Sequence, residues 1–391
     1  MTKTPTVGII GGGQLARMMH AASIGLGIEV ALLAEAADSS AARVVHNVTV
    51  GDYTDPETVR AFAAGCDVVT FDHEHVPTGL LRDLESAGIA VRPGPDALVH
   101  AQDKAIMRDR LAAFGAPCPV NRVVPDGEAL IEFGDEYGWP VIAKTSRGGY
   151  DGKGVWKIAS AAAAEQPFIG AEQRSVPGGH APEAQIIAEE YVPFARELSA
   201  LVVRSPSGQA AAYPISESVQ RNGICVETVT PAPGLTAEQA IVAQQLALGI
   251  ASELGVVGVL AVELMQRRDG SVVVNELAMR PHNTGHWTID GANTSQFENH
   301  LRAVLDLPLG DPGARVPWTV MVNVLGGSVE DLPGALLHCF AHDRRLRVQL
   351  YGKQVKPGRK VGHVTALGDD LEHTRQRARH AAAYLMGETD E

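Results

Sequence analysis

The sequence predicts an α/β and α+β fold divided into two or three domains. Its 391 residues are enough for that number of domains, each with a core of its own. Near the N-terminus, short apolar segments of strand type alternate with helical segments, which is the order typical of a parallel sheet covered by helices. Further along the chain, a glycine-rich loop and a polar loop follow segments of strand type, and these two loops carry most of the candidate chemistry.

The first predicted unit, residues 1–95, is a Rossmann-like parallel-sheet domain. Its strands are predicted over residues 7–10, 28–33 and 66–71, and its second helix over residues 55–64. Gly11, Gly13 and Ala16 form a G-x-G-x-x-A turn, and Glu35 follows about twenty residues later, as in dinucleotide-binding turns. Such a turn directs backbone N–H groups at an anion. NAD is therefore one interpretation, although a strand-to-helix turn of this architecture also favours glycines without NAD.

A second unit is predicted over residues 96–305 and a small C-terminal domain over 306–391. The boundary at residues 92–95 rests on the sequence Arg-Pro-Gly-Pro, which favours a turn. Helices are predicted over residues 96–114, 236–254, 295–305 and 369–386. Strands are predicted over residues 140–144, 186–191, 197–203, 256–262, 320–324 and 363–366.

A glycine-rich loop follows Lys144, which ends a predicted strand. Residues 148–154 contain four glycines, so we expect a mobile loop whose backbone N–H groups fold over a polyphosphate and close the site against water. Lys144 would reach a phosphate from the strand end. The loop lacks the Walker pattern, and a simple hairpin tip is the alternative interpretation.

The most polar loop of the chain runs from Glu276 to Thr288 and contains Glu, Arg, two His and Asn. It follows a β-branched strand, and Glu263 ends another apolar strand thirteen residues before Glu276. Carboxylates on neighbouring strand ends are suited to a hard divalent cation, which takes oxygen ligands. An arginine beside that cation suits a phosphate or a carboxylated phosphate. We do not expect a zinc pair of His282 and His286, because Pro281 and Gly285 argue against a helix there.

Three further groups are candidates for binding. The segment Phe71 to Pro77 is rich in histidine and lies at the carboxyl end of a parallel strand, where ligands bind in such sheets. The segment Glu189 to Val192 places acceptors beside apolar backbone, an arrangement that suits adenine and ribose. Residues 351–363 gather four cations around a Pro-Gly turn, which predicts an anion site; a solvated turn is the alternative.

The overall charge and the cysteines exclude several classes of protein. A formal charge of −13 disfavours a role in coating nucleic acid. The four cysteines form no C-x-x-C pair, so a zinc ribbon or a disulfide scaffold is not expected. We find neither a secretory leader nor a membrane span in the sequence, and expect a cytoplasmic protein.

Taken together, these motifs resemble the ATP-grasp superfamily and, more narrowly, the 5-(carboxyamino)imidazole ribonucleotide synthase family of purine biosynthesis. The resemblance covers nearly the whole chain and rests on six ordered motifs, at residues 11–15, 71–75, 148–154, 275–288, 294–298 and 357–363. It implies an ATP-grasp fold. It also implies a ligase that joins aminoimidazole ribonucleotide to bicarbonate with ATP, through carboxyphosphate, and yields ADP and phosphate. Mg²⁺ is the implied cofactor and a homodimer the implied assembly.

The resemblance also implies a role for each group of residues. The implied ATP ligands are His100, Lys144, Gly149, Tyr150, Asp151, Gly152, Lys153, Gly154, Val155, Glu189, Glu190, Tyr191, Val192, Glu197, Gln220, Asn275 and Glu276. The implied magnesium ligands are Glu263 and Glu276, and the residues facing carboxyphosphate are Arg280, His282 and Asn283. The implied ligands of the ribonucleotide are Gln14, Leu15, Glu74, His75, Tyr150, Asp151, Lys353, Arg359 and Lys360.

The sequence departs from the family at three positions. Met279 stands where the family usually has proline, Gln220 where many members have histidine, and His100 where many have arginine. Two alternative functions remain besides an NAD-dependent oxidoreductase. One is a sister ATP-grasp ligase acting on another ribonucleotide, and the other is a nucleotide sensor that binds ATP without turnover.

Overall fold

The computed structural model describes residues 4–149, 153–172 and 185–389. Its strands form three sheets, which we call the N-terminal sheet, the middle sheet and the large sheet. No helix in these described ranges is long and apolar enough to cross a membrane.

The N-terminal sheet is parallel throughout, as the sequence predicts, with the strand order β3-β2-β1-β4. Its strands are β1 (Thr6–Ile10), β2 (Glu29–Ala34), β3 (Asn47–Val50) and β4 (Val68–Phe71). The helices that connect or follow them are α1 (Gln14–Leu26), α2 (Pro56–Ala63) and α3 (Thr78–Ser86). β1 and β4 are buried along their whole length, because helices cover this sheet. The carboxyl ends of β1 and β4 therefore present their loops at one edge.

The single helix expected over residues 96–114 is wrong. The structure has two helices there, α4 (Pro95–Gln102) and α5 (Lys104–Phe114). Asp103 between them has extended backbone angles, and its carboxylate accepts hydrogen bonds from the N–H groups of Ala105 and Ile106. An aspartate is a strong N-cap, so it starts a second helix in a new direction. This break aims Lys104 and Arg108 at the large sheet.

The middle sheet is antiparallel, with the order β5-β8-β6-β7. Its strands are β5 (Asn121–Val124), β6 (Val141–Thr145), β7 (Val155–Ile158) and β8 (Ile186–Glu190), and its helices are α6 (Gly127–Tyr137) and α7 (Gln166–Glu172). β6 and β7 are the two strands that flank the glycine-rich loop. The sheet packs Val141, Ala143 and Ala188 against Phe133 of α6, and this core fixes Lys144 at the end of β6.

The large sheet runs in the order β14-β13-β9-β11-β12-β15-β17-β16, with β10 added beside β9. Its strands are β9 (Phe194–Arg204), β10 (Ala210–Ala212), β11 (Ser216–Arg221), β12 (Ile224–Thr230), β13 (Gly258–Arg267), β14 (Val272–Ala278), β15 (Trp318–Leu325), β16 (Arg347–Leu350) and β17 (Lys360–Gly368). The accompanying helices are α8 (Ala237–Glu253), α9 (Thr288–Gly291), α10 (Gln296–Val304), α11 (Leu332–His342) and α12 (Leu371–Met386).

The large sheet continues across residue 306, where the sequence predicts the start of a C-terminal domain. β12 pairs with β15 in an antiparallel register that places Thr228 opposite Met321. The C-terminal unit therefore extends the same sheet that carries Glu197 and Glu263, and it is covered on one side by α11 and α12. That continuity brings Lys360, at the start of β17, close to His282 and Asn283 of the polar loop.

Candidate active site

A cavity of about 430 Å³ lies between the middle sheet and the large sheet. It gathers ten residues that the sequence analysis singled out: Lys144, Val155, Glu197, Gln220, Glu263, Asn275, Glu276, His282, Asn283 and Lys360. Its further lining residues are Lys104, Ile142, Lys157, Asn222, Gly223 and Cys225. The cavity thus has both carboxylates and ammonium groups on its walls.

Three carboxylates share one face of the large sheet. Glu263 on β13 lies opposite Glu276 on β14 and opposite Ser199 on β9. Glu197 precedes Ser199 by two positions, so the two-residue period of a strand places it on the same face. A bulge in β14 leaves Asn275 without a partner between Glu276 and Val274. A bulge re-aims side chains, which explains how two consecutive residues, Asn275 and Glu276, both reach the cavity.

The protonation of Glu197 is perturbed. Burial raises the pKa of Glu197 to about 7, and the nearby Glu263 adds to the rise, while Lys144 opposes it. Two carboxylates that share a poorly solvated site resist double ionisation. A cation between them would restore the charged form of both.

Glu263 is held by the polar loop. His282 Nε2 lies 3.3 Å from Glu263 Oε1, and His282 Nδ1 lies 2.8 Å from Thr284 Oγ1. Burial alone would raise the pKa of Glu263, but the hydrogen bond from His282, together with Lys360 and Arg280, lowers it. Glu263 is therefore the ionised member of its pair with Glu197.

Lys144 is fixed by two partners. Its Nζ lies 2.8 Å from Glu189 Oε2 and donates a hydrogen bond to Asn275 Oδ1 at 3.1 Å. The other oxygen of Glu189 accepts a hydrogen bond from Arg108 Nε at 2.8 Å. Burial opposes ionisation of Glu189, yet Lys144 and Arg108 lower its pKa to about 2. Glu189 therefore holds Lys144 in place, and both of its carboxylate oxygens have cationic partners.

Two cations of α5 belong to this site and were missed in the sequence analysis. Lys104 Nζ lies 2.9 Å from Glu276 Oε1. Arg108 donates hydrogen bonds to the carbonyls of Val274 and Asn275, at 3.0 and 2.7 Å, besides its bond to Glu189. The available signal was Asp103, whose preference for the N-cap position marks the start of a helix that carries both cations.

The donor set suits a magnesium ion. Glu263 and Glu276 lie opposite each other on the adjacent strands β13 and β14, and a hard cation prefers carboxylate oxygens. Asn283 supports a bound ligand, because both atoms of its buried amide lack a hydrogen-bond partner among the described residues. An unpaired buried amide is costly, so its presence in a cavity wall points to a partner that binds there.

The glycine turn after β1 is filled by the protein's own carboxylates. Asp72 accepts hydrogen bonds from the N–H groups of Gly13 and Ala16, at 2.8 and 2.7 Å. Glu35 accepts one from Gly12 at 3.1 Å and lies 3.3 Å from His73 Nε2. A Cβ on Gly13 would overlap the Asp72 carboxylate, which explains that glycine without a dinucleotide. The expectation that these N–H groups bind the anion of a ligand is wrong. The turn therefore no longer supports the binding of NAD.

Arg280 connects this edge of the N-terminal sheet to the cavity. Its Nε lies 2.8 Å from Glu74 Oε2. Burial would lower the pKa of Arg280, but Glu74, Asp72 and Glu263 together raise it. Glu74 and Asp72 belong to the N-terminal domain and Glu263 to the large sheet, so Arg280 stands between the two groups of carboxylates. His75, beside Glu74, is exposed and stacks on His73 with ring centroids 5.1 Å apart.

The structure separates the C-terminal cations. Lys353 Nζ contacts Gln14 Oε1 at the start of α1, where Leu15 is buried. Lys360 lines the cavity. Arg359 is exposed and donates a weak hydrogen bond of 3.5 Å to the carbonyl of Gln354. Lys360 therefore belongs to the cavity wall, Lys353 reaches the start of α1, and Arg359 faces solvent.

The remaining candidate residues that the structure describes at these positions do not line the cavity. His100 Nδ1 lies 3.2 Å from the carbonyl of Ala97 on α4. Glu190 pairs with Arg267 at 3.3 Å, and Lys157 lies over the ring of Tyr191 at 4.1 Å. Val192 is buried against Met265. Gly149, Lys153 and Gly154 flank the gap in the described residues, and Tyr150, Asp151 and Gly152 lie outside them. The roles of these residues stay predictions.

Models of three protein families match successive parts of the chain. Residues 4–102 match the ribonucleotide synthetase preATP-grasp domain, residues 109–297 the ATP-grasp domain, and residues 319–377 the phosphoribosylaminoimidazole carboxylase C-terminal domain. These matches confirm the predicted fold class, an ATP-grasp fold with an N-terminal parallel-sheet domain and a C-terminal domain.

Relatives and solved structures agree with the family models. The N5-carboxyaminoimidazole ribonucleotide synthase of Mycobacterium tuberculosis is 52% identical over 384 residues, which cover 97% of this chain and 88% of the relative. A crystal structure of an ADP complex of an N5-carboxyaminoimidazole ribonucleotide synthetase has a TM-score of 0.88 at 34% identity and covers all of both chains. The enzyme of Aspergillus clavatus, in complex with ADP and 5-aminoimidazole ribonucleotide, has a TM-score of 0.87 at 28% identity and covers 98% of this chain and 99% of its own. The chain therefore belongs to the N5-carboxyaminoimidazole ribonucleotide synthase family.

Proposed function

We propose that the chain catalyses the ATP-dependent carboxylation of 5-aminoimidazole ribonucleotide with bicarbonate in purine biosynthesis. The products are 5-carboxyamino-1-(5-phosphoribosyl)imidazole, ADP and phosphate. One observation carries the proposal: a single cavity joins three carboxylates of the large sheet to Lys104, Lys144 and Lys360. That combination suits a polyphosphate whose cation is held by the carboxylates and whose outer oxygens meet the lysines.

The residues at the cavity would bind and align ATP. Lys144, held by Glu189 and Asn275, presents its ammonium group at a fixed position toward the phosphates. Glu197 faces the same space and would accept hydrogen bonds from ribose hydroxyls, while Gln220 and Val155 line the wall beside it. Glu263 and Glu276 would hold Mg²⁺, which offsets the charge that develops on the phosphates during transfer. Gly149 to Val155 would close over the bound nucleotide and exclude water.

The polar loop would handle the activated carboxyl group. A bicarbonate oxygen attacks the γ-phosphorus, the bond from that phosphorus to the β-bridging oxygen breaks, and ADP leaves with carboxyphosphate formed. Arg280 is positioned by Glu74, and the Asn283 amide has no hydrogen-bond partner in the described part of the chain, so both can donate hydrogen bonds to the carboxyphosphate oxygens. His282 is anchored by Glu263 and Thr284, which orients its ring toward the same space.

The ribonucleotide would lie between the N-terminal sheet and the cavity. Its exocyclic amine attacks the carboxyl carbon, and phosphate leaves. Gln14, Glu74 and Lys353 gather at the carboxyl edge of the N-terminal sheet, where such sheets bind ligands. Leu15 and His75 flank this edge, and Arg359 and Lys360 would bind the 5′-phosphate, an anion that suits a guanidinium group.

A phosphate-release assay tests this function. ATP, bicarbonate and aminoimidazole ribonucleotide are supplied together and then omitted one at a time. We expect rapid release of phosphate only with all three present. Release supported by another ribonucleotide amine, and not by aminoimidazole ribonucleotide, would assign the chain to a sister ligase. Binding of ATP with no release under any combination would leave a sensor.

We also propose that the enzyme works as a homodimer in the cytoplasm and that its domains are residues 1–95, 96–305 and 306–391. The support for the dimer is the family resemblance, and the support for the compartment is the use of ATP and bicarbonate in purine biosynthesis. Sedimentation velocity at micromolar concentration tests the assembly, and a mass equal to one chain would contradict it.

A further inference from the structure

A cluster of three histidines lies on the C-terminal helices, away from the cavity. His338 and His342 belong to α11, and His380 belongs to α12. One ring nitrogen of each lies within 4.8 Å of a nitrogen of the other two. The geometry points to a second metal site, in which these three imidazoles bind a zinc-like transition-metal ion and tie α11 to α12.

The positions of the histidines follow from the helices. His338 and His342 are four residues apart, so they project from the same face of α11, one turn apart. His380 comes from the neighbouring helix, and its ring centroid lies 4.4 Å from that of His342 and 6.0 Å from that of His338. Three imidazoles from two helices therefore come together at one place on the surface of the C-terminal unit.

The nitrogens of the cluster are short of partners. The Nε2 atoms of His338 and His380 are buried, and neither has a hydrogen-bond partner among the described residues. The neutral imidazole is the form that binds a metal. A bound ion would supply the partner that these nitrogens lack.

The ligand type selects the class of ion. Imidazole nitrogens suit Zn²⁺, Cu²⁺, Ni²⁺ and Co²⁺ and disfavour Mg²⁺, which prefers oxygen. Zinc takes imidazole nitrogens at about 2.0–2.1 Å, so the nitrogens of a tetrahedral site lie about 3.3 Å apart. The present ligand nitrogens lie within 4.8 Å of one another, so the rings must rotate to bind the ion. His338 is stacked on Tyr384 with ring centroids 3.7 Å apart, so most of this rotation falls to the exposed His342. Water would complete the fourth position.

The site differs from the cavity in both ligands and place. None of the three histidines lines the cavity, and the cavity offers carboxylates on the opposite part of the large sheet. α11 and α12 cover the C-terminal end of that sheet, with Cys339 and Ala381 packed between them. An ion here would stabilise the contact between the two helices, and catalysis would not need it.

Titration with Zn²⁺ tests the site. The full-length protein is stripped with a chelator, exchanged into metal-free buffer, and titrated with Zn²⁺ in a calorimeter. His342→Ala is compared with wild type and with His373→Ala, a matched control that removes an exposed histidine of α12 outside the cluster. We expect wild type and His373→Ala to bind one equivalent of Zn²⁺. His342→Ala should bind this Zn²⁺ at least about 100-fold more weakly. His342→Cys, which keeps a zinc ligand, should restore binding.

Thermal unfolding gives a second readout, because the change in Tm caused by Zn²⁺ can be compared between variants that differ only at the histidine cluster. Zn²⁺ should raise the Tm of wild type and of His373→Ala, because it binds only the folded pair of helices, and should not raise that of His342→Ala. Equal Zn²⁺ stoichiometry and equal Tm in wild type and His342→Ala would overturn the proposal. So would a Zn²⁺-dependent doubling of the sedimenting mass that His342→Ala abolishes, since that ion would bridge two copies.

Discussion

Arg108 Nε lies 2.8 Å from Glu189 Oε1, and both side chains are almost completely buried, at 1% and 2% exposure. Arg108 also donates to the carbonyls of Val274 and Asn275, so a residue of α5 supports both the middle sheet and β14. Through Glu189 it fixes the position of Lys144 as well. One guanidinium group therefore holds together the two sheets that form the cavity.

The first prediction concerns this pair. Arg108→Met should lower the free energy of unfolding by about 3–5 kcal/mol, because it leaves Glu189 with a single buried cationic partner. Urea unfolding measures the change. Arg110→Met is the matched control on the same helix, since its pair with Glu253 is exposed and should contribute at most about 1 kcal/mol. Equal losses in the two variants would contradict a special role for the buried pair.

The second prediction concerns the proposed magnesium ligand. Glu276→Gln should lower kcat by about 100-fold or more, which is the scale for losing a charge that acts in the transition state. Folding should survive, because the carboxylate is 38% exposed. Phosphate release with all three substrates measures the effect, and Glu253→Gln on the exposed end of α8 is the control. Near-normal turnover would remove Glu276 from the metal site.

The third prediction concerns the pH dependence of stability. Because the pKa of Glu197 is raised to about 7 in the folded state, the folded protein binds its proton more tightly than the unfolded chain does. This contribution to stability is fully present below the unfolded pKa, near 4.3, and is lost as the pH rises through about 7. Glu197→Gln should therefore have a higher Tm than wild type at pH 8.

The gain in Glu197→Gln should shrink as the pH falls and vanish near pH 4. The exposed Glu132→Gln on α6 is the control and should show no such trend. A constant difference between Glu197→Gln and wild type across this range would show that the carboxyl group titrates normally.

The fourth prediction concerns Arg359. Arg359→Ala should raise KM for aminoimidazole ribonucleotide by roughly 10- to 100-fold and leave KM for ATP within about twofold, because a charge-assisted hydrogen bond contributes about 1.5–3 kcal/mol. Steady-state kinetics with each substrate varied in turn measures both constants. Arg344→Ala, an exposed arginine in the loop before β16, is the control. An increase confined to the ATP constant would move this cation to the nucleotide cavity.

Much of the site could be predicted because its carboxylates follow apolar runs of strand type. Their expected position at strand ends is wrong, since Glu263 lies in the middle of β13 and Glu276 lies two residues before the end of β14. Glu263 and Glu276 each follow an apolar run, where a pair of carboxylates is seldom just solvent-exposed charge. The pairing of β13 with β14 places the two residues opposite each other. The N-terminal parallel sheet was predictable for a similar reason, since apolar segments alternate with helices there.

The residues that escaped prediction are those whose roles depend on distant partners. Arg108 and Lys104 lie on a helix of ordinary composition, and their partners, Glu189 and Glu276, are 81 and 172 positions away. The bulge that brings Asn275 to the cavity is set by pairing between strands, which leaves no local signature. The glycine turn led to a wrong prediction of an anion site, because the carboxylate of Asp72, and not a ligand, accepts the hydrogen bond from Gly13.

The continuity of the large sheet limits how this protein can be divided. β12 donates its outer edge to β15, so a chain cut after α10 would expose an unpaired row of backbone N–H and C=O groups along β12. Exposed edges of that kind recruit strands from other molecules. A truncated protein would therefore aggregate rather than act as a smaller enzyme. In the full chain, the C-terminal strands pair with the edge of β12 and so prevent it from pairing with strands of other copies.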